Sequence, residues 1–94
     1  MRITWDAKKS RSNLAKHRVS FDRARLVFED PLHISELDPC ATEERWRTLG
    51  LVNGVVILMV AHTVKEEEHG EEEIRIISAR KATRGERKAY EDSH

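Results

Sequence analysis

The sequence predicts an α+β fold: two N-terminal helices, an antiparallel sheet of about four strands and a short C-terminal helix. Three observations carry that expectation. Apolar residues recur at helical spacing early in the chain, behind good N-cap residues. The pattern then changes to period-two and β-branched runs from about residue 32 to residue 80, with the hairpin dipeptide Asn53-Gly54 in the middle. Finally, Thr83-Arg84-Gly85-Glu86 matches the Ser/Thr-x-x-Glu capping box that starts a helix.

The elements follow in order. Ile3-Thr4-Trp5 reads as a short strand ended by Asp6, whose carboxylate suits an N-cap. Residues 7–17 then read as a helix with only Ala7, Leu14 and Ala15 as apolar content, so it docks lightly and exposes Lys8, Lys9, Arg11 and Lys16. Ser20 caps a second helix over Phe21 to Glu29, with Phe21, Ala24, Val27 and Phe28 facing a core. Asp30-Pro31 stops it. Strands are predicted over Leu32 to Leu37, Arg45 to Val52, Val55 to Thr63 and Glu72 to Arg80. Val55 to Thr63 is the most apolar of them and suits a central position covered on both faces. Lys65 to Glu73, with six glutamates, reads as a long solvated hairpin loop. The last helix should run from Thr83 to about Glu91 with Tyr90 as its apolar anchor, weakened by Gly85 by roughly 1 kcal/mol relative to alanine.

The 94 residues allow one domain, 1–94, with one modest core. Seventeen basic residues balance seventeen acidic ones, so net charge nominates no partner. Their distribution does. Residues 1–25 hold eight Lys/Arg against two acids, residues 26–74 hold three against twelve, and residues 75–94 hold six against three. A fold that joins the two ends would therefore create a positive face. Cys40 is the single cysteine, which excludes an internal disulfide, and no His or Cys pair has zinc-ligand spacing. The longest apolar run, Val55 to Ala61, is too short to span a membrane, and MRITWDAKK lacks the apolar stretch of a signal peptide. A cytoplasmic protein without metal or cofactor is expected.

Candidate functional residues concentrate near the C-terminus. Strict alternation places Ile74, Ile76, Ser78 and Arg80 on one face of the last strand and Arg75, Ile77 and Ala79 on the other. Arg80 thus extends the line of a core face to the strand end, and Arg84, Arg87 and Lys88 follow within one helical turn. Guanidinium groups pair bidentately with phosphate and stay charged at any working pH, so the cluster suits an RNA backbone. A merely solvated basic helix face is the competing reading. Lys9, Asn13, Lys16 and His17 share one face of the first helix, where phosphate contact and plain solvation are equally good accounts. His62 ends the apolar strand and could move a proton, although a structural histidine is the commoner occupant of such a place. No Gly-rich phosphate loop or nucleophile elbow is present. The remaining Lys, Arg, His, Glu and Tyr inventory fits RNA cleavage without a metal, in which the ribose 2′-hydroxyl attacks the adjacent phosphate.

Trp5-Asp6, Lys9, Asn13, Lys16-His17, Val19 and Phe21 resemble the opening W-D-x-x-K-x-x-x-N-x-x-K-H-G-V-x-F of BrnT-type toxins. Glu43-Glu44-Arg45, Gly50, Arg75-Ile-Ile-Ser-Ala-Arg80, Ala82-Thr83 and Glu86-Arg87-x-x-Tyr90 resemble the rest of that pattern. The resemblance implies a RelE-like ribonuclease, the toxin of a type II toxin–antitoxin pair, that cleaves RNA and stops translation. It implies a BrnA-like antitoxin that inhibits the toxin and supplies DNA binding, with a toxin–antitoxin heterotetramer as the assembly. By position it assigns catalytic roles to Lys9 and Arg80, with His62 and Glu86 as acid/base candidates. Arg84, Arg87, Lys88, Lys16 and Asn13 become RNA-binding candidates. Two departures stand out: Arg18 occupies the place of the family's glycine after His17, and the acidic loop 65–73 is longer than usual. A non-enzymatic nucleic-acid-binding regulator, or a degenerate toxin kept as an interaction partner, is the alternative.

Overall fold

The computed structural model describes all residues, Met1–His94. Its elements are β1 (Arg2–Thr4), α1 (Ala7–His17), α2 (Phe21–Ala24), a 3-10 segment (Arg25–Glu29), β2 (Ile34–Leu37), β3 (Trp46–Val52), β4 (Val56–Glu66), a 3-10 turn (Glu68–Gly70), β5 (Glu72–Lys81) and α3 (Arg84–Asp92). The strands form one sheet in the order β1-β5-β4-β3-β2. It is a five-stranded mixed sheet, not four antiparallel strands, because β1 pairs in parallel with β5 through Arg2↔Glu73, Ile3↔Ile74 and Thr4↔Arg75. No helix is long and apolar enough to cross a membrane.

Local chemistry explains most boundaries. Asp6 accepts from the Lys8 and Lys9 amides, so α1 starts where its cap predicts. Ser20 accepts from the Arg23 amide and starts α2. The helix expected to reach Glu29 instead tightens into a 3-10 segment after Ala24. There the Val27 backbone presses on Gly50 so closely that a Cβ built at Gly50 would lie 2.7 Å from the Val27 carbonyl oxygen. Asn53 and Gly54 have φ of 54° and 68°, the left-handed pair that a tight hairpin needs. The acidic stretch is not a long loop. β4 and β5 pair out to Glu66↔Glu72, leaving a connection of five residues. Arg2 forms ion pairs with Glu67 and Glu73, and the Thr4 hydroxyl donates to Glu73 at 3.1 Å, which offsets the clustered carboxylates.

Two apolar clusters form on opposite faces of the sheet. One is fully dry: Val19, Phe21, Ala24, Val27, Val52, Leu58, Val60, Ile76 and Ala79, under α1, α2 and the 3-10 segment. Burying each of its larger side chains contributes about 1.5–3 kcal/mol. The other is smaller: Leu49, Ile57, Met59, Ala82 and Tyr90, beneath α3.

A register shift decides which face each β5 residue joins. Ala61 pairs with Ser78 but His62 pairs with Ile76, so Ile77 is an extra residue, a β-bulge. Strict alternation through Ile77 therefore fails. Ile76 and Ala79 share the dry face, and Arg80, opposite Met59, lies on the α3 face with Ser78 and Arg75. Arg80 extends a different line from the one its sequence spacing predicts.

Candidate functional site

The α3 face of the sheet can be read from cross-strand pairing. One row runs Ile34–Leu49–Met59–Arg80, the next Glu36–Arg47–Ala61–Ser78, and a third Thr63–Arg75–Thr4. α3 covers only the first of these rows, where Leu49, Met59 and Tyr90 pack. Beyond it the small side chains of Ala61, Thr63 and Ser78 leave a shallow floor flanked by Arg47 and Arg75. Between α3 and the β2–β3 edge lies a groove of about 200 Å³, lined by Ile34, Leu49 and Met59 below and by Arg47, Glu86 and Ala89 at its sides. Arg47 pairs through Nη2 with Glu36 at 3.0 Å, while its Nε is buried without a protein partner.

Arg80 is half-buried and held at one end of this face. Its Nη1 donates to Glu86 Oε1 at 2.7 Å and its Nη2 to Glu86 Oε2 at 3.1 Å, a bidentate pair, and Nη1 also donates to the Lys81 carbonyl at 3.2 Å. Glu86 is the N3 residue of α3. Its Oε1 accepts from the Thr83 amide at 2.8 Å while the Thr83 hydroxyl accepts from the Glu86 amide at 3.2 Å, completing the capping box. The Arg80 guanidinium, with help from the Thr83 amide and against the opposing effect of burial, holds the Glu86 carboxyl below the usual carboxylate range. The same carboxylate raises Arg80. Glu86 is thus a fixed anion, poorly suited to carrying a proton near neutrality.

α3 is seated by a second polar contact. The Tyr90 hydroxyl donates to Asp30 Oδ2 at 2.5 Å, and Asp30 also accepts from the Leu51 and Leu32 amides. Burial pushes the Asp30 carboxyl up, but these three donors outweigh it and hold it low. Burial and the Asp30 charge together push the Tyr90 hydroxyl up to about 12. The two contacts, Arg80–Glu86 and Tyr90–Asp30, fix the first turn of α3 to β5 and its last turn to the residue that ends the 3-10 segment.

The other sequence-predicted residues divide. Arg84 and Lys88 are exposed on α3; Lys88 lies 4.0 Å from Asp92. Arg87 donates to the Ala82 carbonyl at 3.1 Å, which sets its guanidinium at the end of β5. Lys9 and Lys16 are exposed on α1 and make no ion pair.

Asn13 is not exposed. Its amide nitrogen donates to the Val19 and Ala79 carbonyls, both at 2.8 Å, and its oxygen accepts from the Ala79 amide at 3.2 Å. β1 ends at Thr4, opposite Arg75, so β5 has an open edge beyond it, and Asn13 completes that edge as a strand would.

His62 lies on the dry face, away from Arg80, with its Nε2 2.7 Å from the Thr48 hydroxyl and its ring edge-on to Phe28 at 5.0 Å. Burial pushes its imidazole down, so it stays neutral. The structure brings Arg80 and Glu86 together and separates both from His62. Ser78 and Arg47 were missed in sequence, and Arg75 was assigned to the opposite face from Arg80. The Ile77 bulge that brings Arg75 onto the face of Ser78 and Arg80 has no local sequence mark.

Arg18, where glycine was expected, adopts φ 63° and ψ 23°, and its amide donates to the Leu14 carbonyl, closing α1. The left-handed turn is present without glycine.

Comparison with known proteins agrees with this architecture. Residues 5–86 match the family model described as ribonuclease toxin, BrnT, of type II toxin–antitoxin system. The crystal structure of the Brucella abortus ribonuclease toxin BrnT is 32% identical in sequence and superposes with a TM-score of 0.63, covering 89% of this chain and 99% of the Brucella chain. No curated protein matches significantly. A family match across most of the length, together with that structural likeness, places the protein in the BrnT family of ribonuclease toxins of type II toxin–antitoxin systems.

Proposed function

We propose that this chain is an endoribonuclease toxin that cleaves RNA without a metal ion, arrests translation and is neutralised by a BrnA-like antitoxin. The observation that supports the reading best is the half-covered α3 face, where Arg80, Arg75 and Arg47 surround a floor of small side chains beside Arg84, Arg87 and Lys88 of α3. A chain of zero net charge has gathered cations around one shallow surface. In this reading a ribose 2′-hydroxyl attacks the adjacent phosphorus. The 5′-oxygen leaves, and charge builds on the non-bridging oxygens, where Arg80 stabilises it. Arg84, Arg87 and Lys88 hold the flanking backbone, and Lys9 and Lys16 extend the contact along α1. Lys9 is the proton-transfer candidate left, since His62 is buried and engaged by Thr48 and Phe28, and Glu86 is bound to Arg80. The reading includes a RelE-like ancestry, action in the cytoplasm and assembly as a toxin–antitoxin heterotetramer whose DNA contacts come from the antitoxin.

Expression of wild type and Arg80→Ala in a host lacking the antitoxin tests it. Wild type should stop growth with fragmented RNA, and the variant should lose about 10²–10³-fold in cleavage, the usual cost of one charge-stabilising donor. Equal growth of both strains with intact RNA would refute ribonuclease action. Cleavage that disappears in a chelator would overturn metal independence.

A further inference from the structure

A guanidinium has five N–H groups and two bidentate edges, one formed by Nη1 and Nη2 and the other by Nε and Nη2. In Arg80 three of the five have protein partners: two point at Glu86 and one at the Lys81 carbonyl. The Nε–H and one Nη2–H have none, and the Nε is not among the buried polar atoms left unpaired. The unused pair is the complete side-on edge. Arg80 is 35% exposed, so this edge is accessible, and it belongs to a guanidinium whose plane the Glu86 carboxylate has already fixed. Glu86 is in turn fixed by the capping box to Thr83 at the first turn of α3.

We infer that Glu86 is a positioning residue, which grips the end-on edge of Arg80 so that the side-on edge is presented, preformed, to one phosphate of the RNA. The catalytic consequence rests on the ribonuclease reading above. Two physical points favour positioning over competition, in which RNA would have to displace Glu86. A free arginine loses rotamer freedom when it orders on a ligand, and the Glu86 pair has removed that freedom beforehand. Displacement would also break the Thr83–Glu86 box and fray α3, whereas side-on binding leaves every observed contact intact. The ion pair lowers the net charge at Arg80. The surrounding Arg75, Arg84 and Arg87 therefore supply the attraction that brings RNA in, and Arg80 supplies direction.

Glu86→Gln isolates the effect, because glutamine serves a capping box as well as glutamate does and so keeps α3 capped. Full-length wild type and variant are compared in cleavage of a single-stranded RNA and in affinity for its 2′-O-methyl counterpart, which lacks the nucleophile. The Arg80 Nε–H resonance is followed by NMR during titration with that counterpart. Positioning predicts a cleavage rate about 10- to 100-fold lower at saturating RNA, with affinity unchanged within about twofold. It also predicts a sharp Nε–H resonance in wild type that shifts with RNA and is broadened in Glu86→Gln. Arg80→Lys, which keeps the charge and lacks the fork, should fall as far as Arg80→Ala. Tighter RNA binding by Glu86→Gln with an undiminished rate would mean that Glu86 competes with RNA, and overturns the inference. Unchanged rate and affinity would reduce the pair to a structural contact. If wild type shifts Nε–H on RNA yet cleaves nothing, the ribonuclease reading fails and the side-on edge stands. If it cleaves and Nε–H does not move, the reverse holds.

Discussion

The two faces of the sheet are built on different rules. Under α1, α2 and the 3-10 segment the core is fully buried, and two polar side chains there are engaged internally: Asn13 by the β5 edge, and His62 by Thr48. Under α3 the apolar cluster is small, the cover does not reach the Ala61–Ser78 and Thr63–Arg75 rows, and Arg47, Arg75 and Arg80 rise from that face. A protein this short cannot bury both faces of a five-stranded sheet with one set of helices. In the reading proposed above, the half-covered face is the one left for RNA. Polar residues on the first side serve stability, whereas on the α3 side they both seat the helix and, in that reading, recognise RNA.

Three substitutions probe that division, apart from those at Arg80 and Glu86. The largest effect is expected at Asn13. Asn13→Ala leaves the Val19 carbonyl and both backbone groups of Ala79 without this partner, which should cost about 3 kcal/mol in denaturant unfolding. RNA affinity of the folded variant should stay close to wild type. A loss of affinity with no loss of stability would place Asn13 on the recognition surface and break the division.

Tyr90→Phe comes next. It removes the hydroxyl that binds Asp30 while Asp30 keeps the Leu51 and Leu32 amides, so about 1–2 kcal/mol should be lost from thermal stability. Unchanged stability would mean that apolar contact of the ring alone seats α3, and that the α3 side is less dependent on polar contacts than its hydrogen bonds indicate. The smallest effect belongs to Arg18→Gly. Relief of the left-handed backbone at φ 63° should stabilise the fold by roughly 0.5–1 kcal/mol, part of the gain being offset by the greater freedom of glycine in the unfolded chain. A drop in RNA affinity on the same substitution would reveal that the Arg18 charge adds to recognition; a drop in stability would show that its side chain makes up for the strain.

Much of this was legible because it is local. Asp6, Ser20 and the Thr83–Glu86 box set helix starts through side chains two or three residues from the amides they bind. Asn53-Gly54 set the β3–β4 hairpin through its own backbone preference. Glu86 was legible as a cap and as an acid/base candidate. Its grip on Arg80 was not, since the pair depends on how α3 leaves the sheet. The acidic run looked like a loop because glutamates avoid strands when isolated. Paired across a hairpin and tied to Arg2 from a parallel neighbour, they extend both strands.

By itself, then, the sequence determined the α+β class, the helix starts, the central apolar strand and the basic character of the C-terminal block. Periodicity and capping need only near neighbours, and so do the family's motif spacings. Tertiary structure decided the parallel β1–β5 pairing, the 3-10 segment pressed on Gly50, the burial of Asn13 and His62, and the face to which Arg80 belongs. That last choice turned on one extra residue, Ile77, because the side-chain period of a strand is two and a single bulge exchanges its faces.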